Sequence, residues 1–156
     1  PQLAIFANWG RSFAPEVGTR PILGNAEPKA SKGEQAEGGV RYESADGRVR
    51  ASASLFRIEK TNIRVAEPAP SPFDVQVGKQ RSKGIELDFA ARPLDGLRIE
   101  AAYALTDAEV TRDRVLAGRV LQATPKHSAS VWARYDFTPS FGIGGGVFIV
   151  GDRFVD

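Results

Sequence analysis

A chain of 156 residues is long enough for one ordinary domain, and its formal net charge of only +2 gives no sign of a nucleic-acid partner. The absence of cysteine removes disulfides, thiol nucleophiles and cysteine metal sites, which suits the cytoplasm and equally an exported protein that avoids oxidation chemistry. No secretory signal and no apolar run of about 18 residues is present, which excludes a membrane helix but not a membrane strand, whose signal is an alternating segment of about ten residues.

The first apolar run, Leu3 to Phe13, places Leu3, Ile5, Ala7 and Trp9 on one face, although Ala4 and Phe6 blur the other. From Ala14 to Lys32 the residues Pro15, Gly18, Pro21, Gly24 and Pro28 punctuate a segment with no period, which reads as a long loop. Alternation resumes at Glu34, with Ala36, Gly38, Val40 and Tyr42 in one phase. Asp46-Gly47 signals a tight turn. Beyond it Val49, Ala51, Ala53 and Leu55 alternate with Arg48, Arg50, Ser52 and Ser54. The phase then slips, with Phe56 and Ile58 apolar, and a bulge near Leu55 is expected because one extra residue swaps the faces.

Glu67 to Pro72 is too proline-rich for a strand and makes a second long loop. The central unit follows. Ile85, Leu87, Phe89 and Ala91 alternate with Glu86, Asp88 and Ala90, and after Pro93-Leu94-Asp95-Gly96 the residues Leu97, Ile99, Ala101, Tyr103 and Leu105 repeat the rhythm. Successive strand side chains point to opposite faces, so this is an antiparallel hairpin with one greasy and one polar face. Thr111 to Pro125 forms a third long connection. Ala129, Val131, Ala133, Tyr135 and Phe137 then oppose Ser128, Ser130, Arg134 and Asp136, with Trp132 the exception on the polar face. A short turn at Thr138-Pro139-Ser140 leads into a glycine-rich strand, Phe141 to Phe154.

The expected fold is all-β, an antiparallel up-and-down meander of about seven strands. Its connections run long, short, long, short, long, short. Alternate connections share an end, so long loops gather on one rim and tight turns on the other, as in outer-membrane barrels. A soluble β-sandwich or lipocalin-like barrel also alternates. The mixed charges Glu86, Asp88, Arg98, Glu100, Arg134 and Asp136 on the polar face tilt the reading toward a wet lumen or a polar plug.

Four collinear pieces carry a family resemblance: SASLFRIEKTNI (Ser52–Ile63), VQVGKQRSKGIELDFAARPLDGLRIEAAYALTDAEVTRD (Val75–Asp113), TPKHSASVWARYDF (Thr124–Phe137) and GGGVFIVGDRF (Gly144–Phe154). NWGRSFAPEVG and KGEQAEGGVRYES similarly look like strands flanking a variable loop. The ordered set resembles the barrel of TonB-dependent outer-membrane receptors, particularly ferric-siderophore receptors. The resemblance implies a transmembrane barrel of 22 strands filled by a plug, in the Gram-negative outer membrane. Residues 1–156 would be a partial barrel domain near its C-terminal side, with the plug and closing strands absent. The lack of methionine and the opening Pro1-Gln2-Leu3 fit a mature fragment or excised piece.

By the same resemblance a ferric chelate docks among outward loops, here 14–32, 66–74 and 111–125, and the inner-membrane TonB energy-coupling complex acts through the plug. Iron stays wrapped in its siderophore, so no cofactor and no metal-ligand cluster is expected. Arg112, Arg114 and Arg119 are candidates for holding an anionic chelate, because guanidinium donors suit carboxylates and hydroxamates; the alternative is a solvated loop. Lys79, Arg81 and Lys83 share the phase of Ile85, Leu87 and Phe89 and are candidates for meeting lipopolysaccharide phosphates, against a hydrated strand extension. Trp132, Tyr135, Phe137 and Phe141 cluster around one short turn and fit an aromatic girdle at the headgroup level, against ordinary core packing.

His127 lacks a carboxylate or second histidine at ligand spacing and reads as a strand-end polar residue. No Ser–His–Asp arrangement or phosphate-cradling glycine loop stands out, so no enzyme is expected. The glycine run 142–146 reads as close approach to a neighbouring strand or sharp coiling. The alternatives to a siderophore receptor are a passive porin-like barrel or adhesin and a soluble β-rich binding module.

Overall fold

A computed structural model describes residues 1–15, 18, 20–25, 27–67, 70–112, 117–118, 120–121 and 124–152. The strands are β1 (Gln2–Ala14), β2 (Ser31–Glu43), β3 (Val49–Ala66), β4 (Asp74–Ala91), β5 (Leu97–Arg112), β6 (His127–Thr138) and β7 (Phe141–Val150). They form one sheet in sequence order, and each is antiparallel to the next. The expected meander is therefore present, with a short 3-10 turn at Leu23–Asn25 in the first long connection. β7 closes at Val150, short of the expected Phe154, and residues 153–156 lie outside the described set.

The tight reversals have local causes. In the β2–β3 turn, Asp46 accepts hydrogen bonds from the Ser44 hydroxyl at 2.6 Å and the Arg48 amide at 3.1 Å. Gly47 and Gly96 take φ of 67° and 82°, a region where an L side chain is strained, and each ends its turn. Both turns and the β6–β7 turn lie on one edge of the sheet; the three long connections lie on the other.

Cross-strand partners share a face, so the register sorts every side chain. One row runs Ala7, Gly38, Leu55, Ile85, Leu105 and His127, and the next toward the tight turns runs Ile5, Val40, Ala53, Leu87, Tyr103, Ala129 and Ile149. This is the apolar face. On the opposite face Arg41, Ser52, Asp88, Ala102 and Ser130 align, as do Arg50, Ala90, Glu100 and Trp132.

The bulge expected near Leu55 is not there. Leu55 pairs with Gly38 and Ile85 in unbroken register, and the irregularities fall instead at Lys79/Gln80 and Asp136/Thr138. The apolar pattern changes phase because the surroundings change. Beyond Leu55 the apolar face turns ionic with Arg57 and Glu59, while Phe56 lies over Gly84 on the other face. A Cβ placed on Gly84 would stand 2.7 Å from the Phe56 ring, and one on Gly39 would stand 2.8 Å from Phe6 Cζ. These rings cover bare backbone, which is how aromatic neighbours compensate a glycine in a strand.

Among the described residues the buried apolar side chains are Ile22, Ala108 and Val110, all near the long-loop edge. Leu3, Ile5, Leu55, Leu87, Phe89, Val131, Ile143, Val147 and Ile149 are all exposed on the apolar face. A seven-stranded sheet with so little core cannot hold itself in water; its greasy face needs an apolar solvent.

Candidate ligand-facing rim and membrane collar

The apolar face divides into bands along the strand direction. On β5 the outward residues Leu97, Ile99, Ala101, Tyr103 and Leu105 precede Asp107; on β4, which runs the other way, Ile85, Leu87, Phe89 and Ala91 follow Lys83. Eight residues of strand rise about 26 Å, or about 20 Å along the normal at the tilt of roughly 40° usual in such barrels. That approaches the apolar band of an outer-membrane barrel, about 25 Å tall.

At the tight-turn end of the band, Tyr135 meets Phe137 edge-on with centroids 4.8 Å apart, and Phe137 stacks on Phe141 at 5.9 Å. Tyr135, Phe137 and Phe141, three of the four residues singled out from sequence, are thus in ring contact at this end, and the fourth is not with them. Trp132 pairs with Glu100 and Gly146, so it points to the opposite, polar face, where a Cβ on Gly146 would stand 2.6 Å from its ring. The period-two alternation places it there; proximity in sequence to Tyr135 does not make a shared face.

At the other end of the band the apolar face becomes a collar of ion pairs. Lys79 Nζ lies 2.5 Å from Glu59 and Lys83 Nζ 3.3 Å from Asp107, while Arg81 pairs with Glu109. Arg57 also reaches Glu59 at 2.5 Å, and Arg11 reaches Glu34 at 3.6 Å. The three cations singled out from sequence thus lie together on the outward face, each beside a carboxylate on a neighbouring strand. Trp9 was missed as part of this boundary. Its indole nitrogen donates to Glu34 at 3.2 Å and Arg11 lies 4.9 Å over its ring, so an amphipathic ring marks this edge of the band too. Tyr103 and His127 share a hydrogen bond of 2.9 Å near the same level, which leaves His127 a polar strand-end residue as expected.

The polar face carries its own pairs. Ser52 donates to Asp88 at 2.9 Å, Arg50 reaches Glu43 at 3.1 Å, and Arg134 and Arg98 reach Asp136 at 2.7 and 3.5 Å. A concavity lined by Ser52, Asp88, Glu100, Ser130, Trp132 and Phe148 opens on this face. Small residues at Ala90, Ala102 and Ala104 keep the wall low there, so acidic and aromatic tips stand proud of it.

The long-loop rim was predicted to carry Arg112, Arg114 and Arg119. Arg112 ends β5, exposed, with its aliphatic stem over Gly78; Arg114 and Arg119 lie outside the described residues. The described part of the third loop folds back on β5, where Gly118 and Leu121 donate their amides to the carbonyls of Val110 and Ala108. A rim node not visible from sequence joins the first two loops. Arg64 donates Nε to Asp74 at 2.6 Å and Nη2 to the Arg20 carbonyl, and Arg20 donates to the carbonyls of Ser71 at 2.6 Å and Pro72 at 3.1 Å. No group of His, Cys, Asp or Glu with metal-holding geometry occurs among the described residues.

The chain matches the family described as TonB dependent receptor-like, beta-barrel, over residues 1–156. Among curated proteins it is 35% identical over 162 residues to the metal-pseudopaline receptor of Pseudomonas aeruginosa, covering 100% of this chain and 22% of that protein. It is 36% identical over 107 residues to the ferrichrome outer membrane transporter/phage receptor of Escherichia coli K12, covering 69% of this chain and 14% of the relative. Among solved structures, the ferric preacinetobactin receptor of Acinetobacter baumannii superposes with a TM-score of 0.78 at 21% identity, over 99% of this chain and 24% of that one. The ferripyoverdine receptor of Pseudomonas aeruginosa gives 0.76 at 21% identity, over 94% and 20%. The chain spans about a fifth of the length of the metal-pseudopaline receptor. With loops sorted to one rim, a lipid-height apolar band and a family match over its whole length, the chain belongs to the β-barrel family of TonB-dependent receptors of the Gram-negative outer membrane.

Proposed function

We propose that this chain forms wall and outward loops of a receptor that takes up ferric siderophores by energy coupling. The observation that carries the reading is the pairing of a full-length family match with relatives named as receptors for metal-pseudopaline, ferrichrome and ferrioxamine B. In this reading the strands belong to a barrel of 22, a plug fills the lumen against the polar face, and the TonB complex acts on that plug. The metal is cargo, carried inside its chelate, and the protein supplies no ligand to it. Arg112, with Arg114 and Arg119, would face the chelate from the third loop, where guanidinium donors match anionic oxygens.

The collar cations have a second role in the same reading. Lys79 and Lys83 keep 36% and 50% of their side chains exposed beside their carboxylates, so donors remain for lipopolysaccharide phosphates at the outer leaflet. Neutralising Lys79, Arg81 and Lys83 together is expected to lower the amount of lipopolysaccharide that copurifies; unchanged retention would defeat the assignment.

The deciding experiment is uptake of radiolabelled metal by cells carrying the full-length receptor, with a panel of chelates and with or without the proton-motive force. Energy-dependent uptake of one ferric chelate is expected. Preference for metal-pseudopaline over ferric chelates would keep the receptor reading and change its cargo. Energy-independent passage of many small solutes would replace it with a porin.

A further inference from the structure

We propose that Arg64 and Asp74 form a standing brace that pins residues 20–22 of the β1–β2 loop across the inner side of the β3–β4 ends, so that this part of the loop is a fixed wall of the ligand cup and not a lid. The proposal rests on the receptor reading for the word cup, but the brace itself is read from contacts alone.

The register puts Asn62, Arg64, Gln76 and Asp74 in the phase of Ser54 and Glu86, the polar face that looks into the lumen. All four reach for the first loop at two separate places. At the first, Arg64 bridges the Asp74 carboxylate and the Arg20 carbonyl, and Arg20 Nε stands 3.4 Å from the other Asp74 oxygen. Asp74 also donates its amide to the Pro21 carbonyl at 2.9 Å, and Ile22 bridges Asp74 and is buried. Gly18 lies against the Arg64 guanidinium, where a Cβ would stand 2.6 Å from Nε.

At the second place Gln76 clasps one backbone unit from both sides, accepting from the Lys29 amide at 2.8 Å and donating to the Lys29 carbonyl at 2.6 Å. Asn62, held at φ 58°, donates its side-chain amide to the Ala30 carbonyl at 3.0 Å. A non-glycine residue in the left-handed region inside a strand is a cost the chain carries only where the surroundings fix it. Here it aims the amide at the loop.

The side chains of Arg64 and Asp74 are 10% and 13% exposed. Arg64 and Asp74 sit on β3 and β4 and stay paired if the loop lifts, but lifting strips the Arg20 carbonyl from Arg64, Arg20 from Asp74 and the Pro21 carbonyl from the Asp74 amide. Half-buried polar groups left short of partners make the node resist opening. A loop already in place adds no ordering cost when a chelate binds. A lid, by contrast, would need its strand-side contacts wet and few.

The test uses the full-length receptor in outer-membrane vesicles, with Ile22→Cys as its only thiol, and follows maleimide labelling. In the braced receptor labelling is slow and unchanged by ferrioxamine B or ferrichrome. Adding Arg64→Ala is expected to speed it by about tenfold or more, because labelling tracks the open population. If the released loop is in place about a tenth of the time, the apparent Kd for the chelate rises about tenfold. Arg64→Lys keeps the charge but loses the second donor and rescues only partly, and Arg64→Asp combined with Asp74→Arg stays fast, because a carboxylate at 64 cannot donate to the Arg20 carbonyl and an arginine at 74 meets Arg20. Gln76→Ala supplies an independent readout, since it frees the backbone of the already exposed Lys29 and should speed tryptic cleavage there in an otherwise folded barrel. Fast labelling in the braced receptor that a chelate suppresses would make the loop a lid and overturn the proposal, as would labelling indifferent to Arg64→Ala. If no chelate binds, the labelling contrast still decides the brace while the receptor reading fails separately.

Discussion

Leu87 sits at the middle of the apolar band, four residues from Lys83 and four from Ala91 along β4. That places it about 13 Å of strand, or roughly 10 Å of depth, from either edge. Its side chain is 43% exposed and faces outward between Ala53 and Tyr103. Leu87→Arg therefore puts a guanidinium near the bilayer midplane, at a cost of about 2–4 kcal/mol. In the folding equilibrium that is roughly 30- to 700-fold at 1.4 kcal/mol per decade. Ile85→Arg, one pair below the ionic collar, should cost only about 0–1 kcal/mol. Ser130→Arg at the level of Asp88 and Ala102 faces the lumen beside acidic side chains and should be close to neutral. The assay is denaturant unfolding of the full-length receptor in lipid vesicles, with heat-modifiable mobility on gels as a second readout. If Ser130→Arg cost more than Leu87→Arg, the inside-out assignment of the sheet would be wrong. Equal costs at Leu87 and Ile85 would defeat the depth argument.

Receptors retaining either Trp9 or Trp132 as the sole tryptophan should respond differently to bromine-labelled lipid: Trp9 fluorescence is quenched and Trp132 fluorescence is not, because they occupy opposite faces. Gly84→Ala drives a methyl against the Leu105 carbonyl oxygen as well as the Phe56 ring and should destabilise by about 1–3 kcal/mol; because the backbone contact is the closer one, adding Phe56→Ala should relieve the loss only in part, and full rescue would refute the packing account. In the β2–β3 turn, hydrogen bonds from the Ser44 hydroxyl and the Arg48 amide hold the Asp46 carboxyl below its usual range. A depressed folded pKa stabilises above the unfolded carboxylate value and is lost as pH falls through the folded one, so the turn should loosen only in acid. Carboxyl carbon chemical shifts against pH check this, and Ser44→Ala should move the Asp46 midpoint upward.

The strands were legible because lipid on one side and polar surface on the other impose a two-residue period over ten or more positions, as in Ile85 to Ala91 and Leu97 to Leu105. The sorting of loops followed from counting. Leu55 was misread because alternation records polarity, and polarity on a fixed face reverses where the strand leaves the bilayer; a real bulge and a change of solvent look the same in the letters. The collar partners Glu59, Asp107 and Glu109 become visible only once register is known. The rim node was illegible for a different reason. Arg20, Arg64 and Asp74 come from three separate segments, and no local pattern links an arginine to a carbonyl 44 residues away.

The scarcity of buried apolar side chains among the described residues has an evolutionary consequence. An outward residue of the band answers to a fluid with no shape, so Leu, Ile, Val, Ala and Phe are interchangeable there to first order. An inward residue such as Phe56 over Gly84, or Trp132 over Gly146, answers to one fixed neighbour. Substitution tolerance should therefore itself alternate with period two along each strand, loose then strict, and reverse its sense where the outward face passes from lipid to the ionic collar. Such a chain can drift far in sequence while its backbone keeps one path, as its superposition on receptors only 21% identical already illustrates.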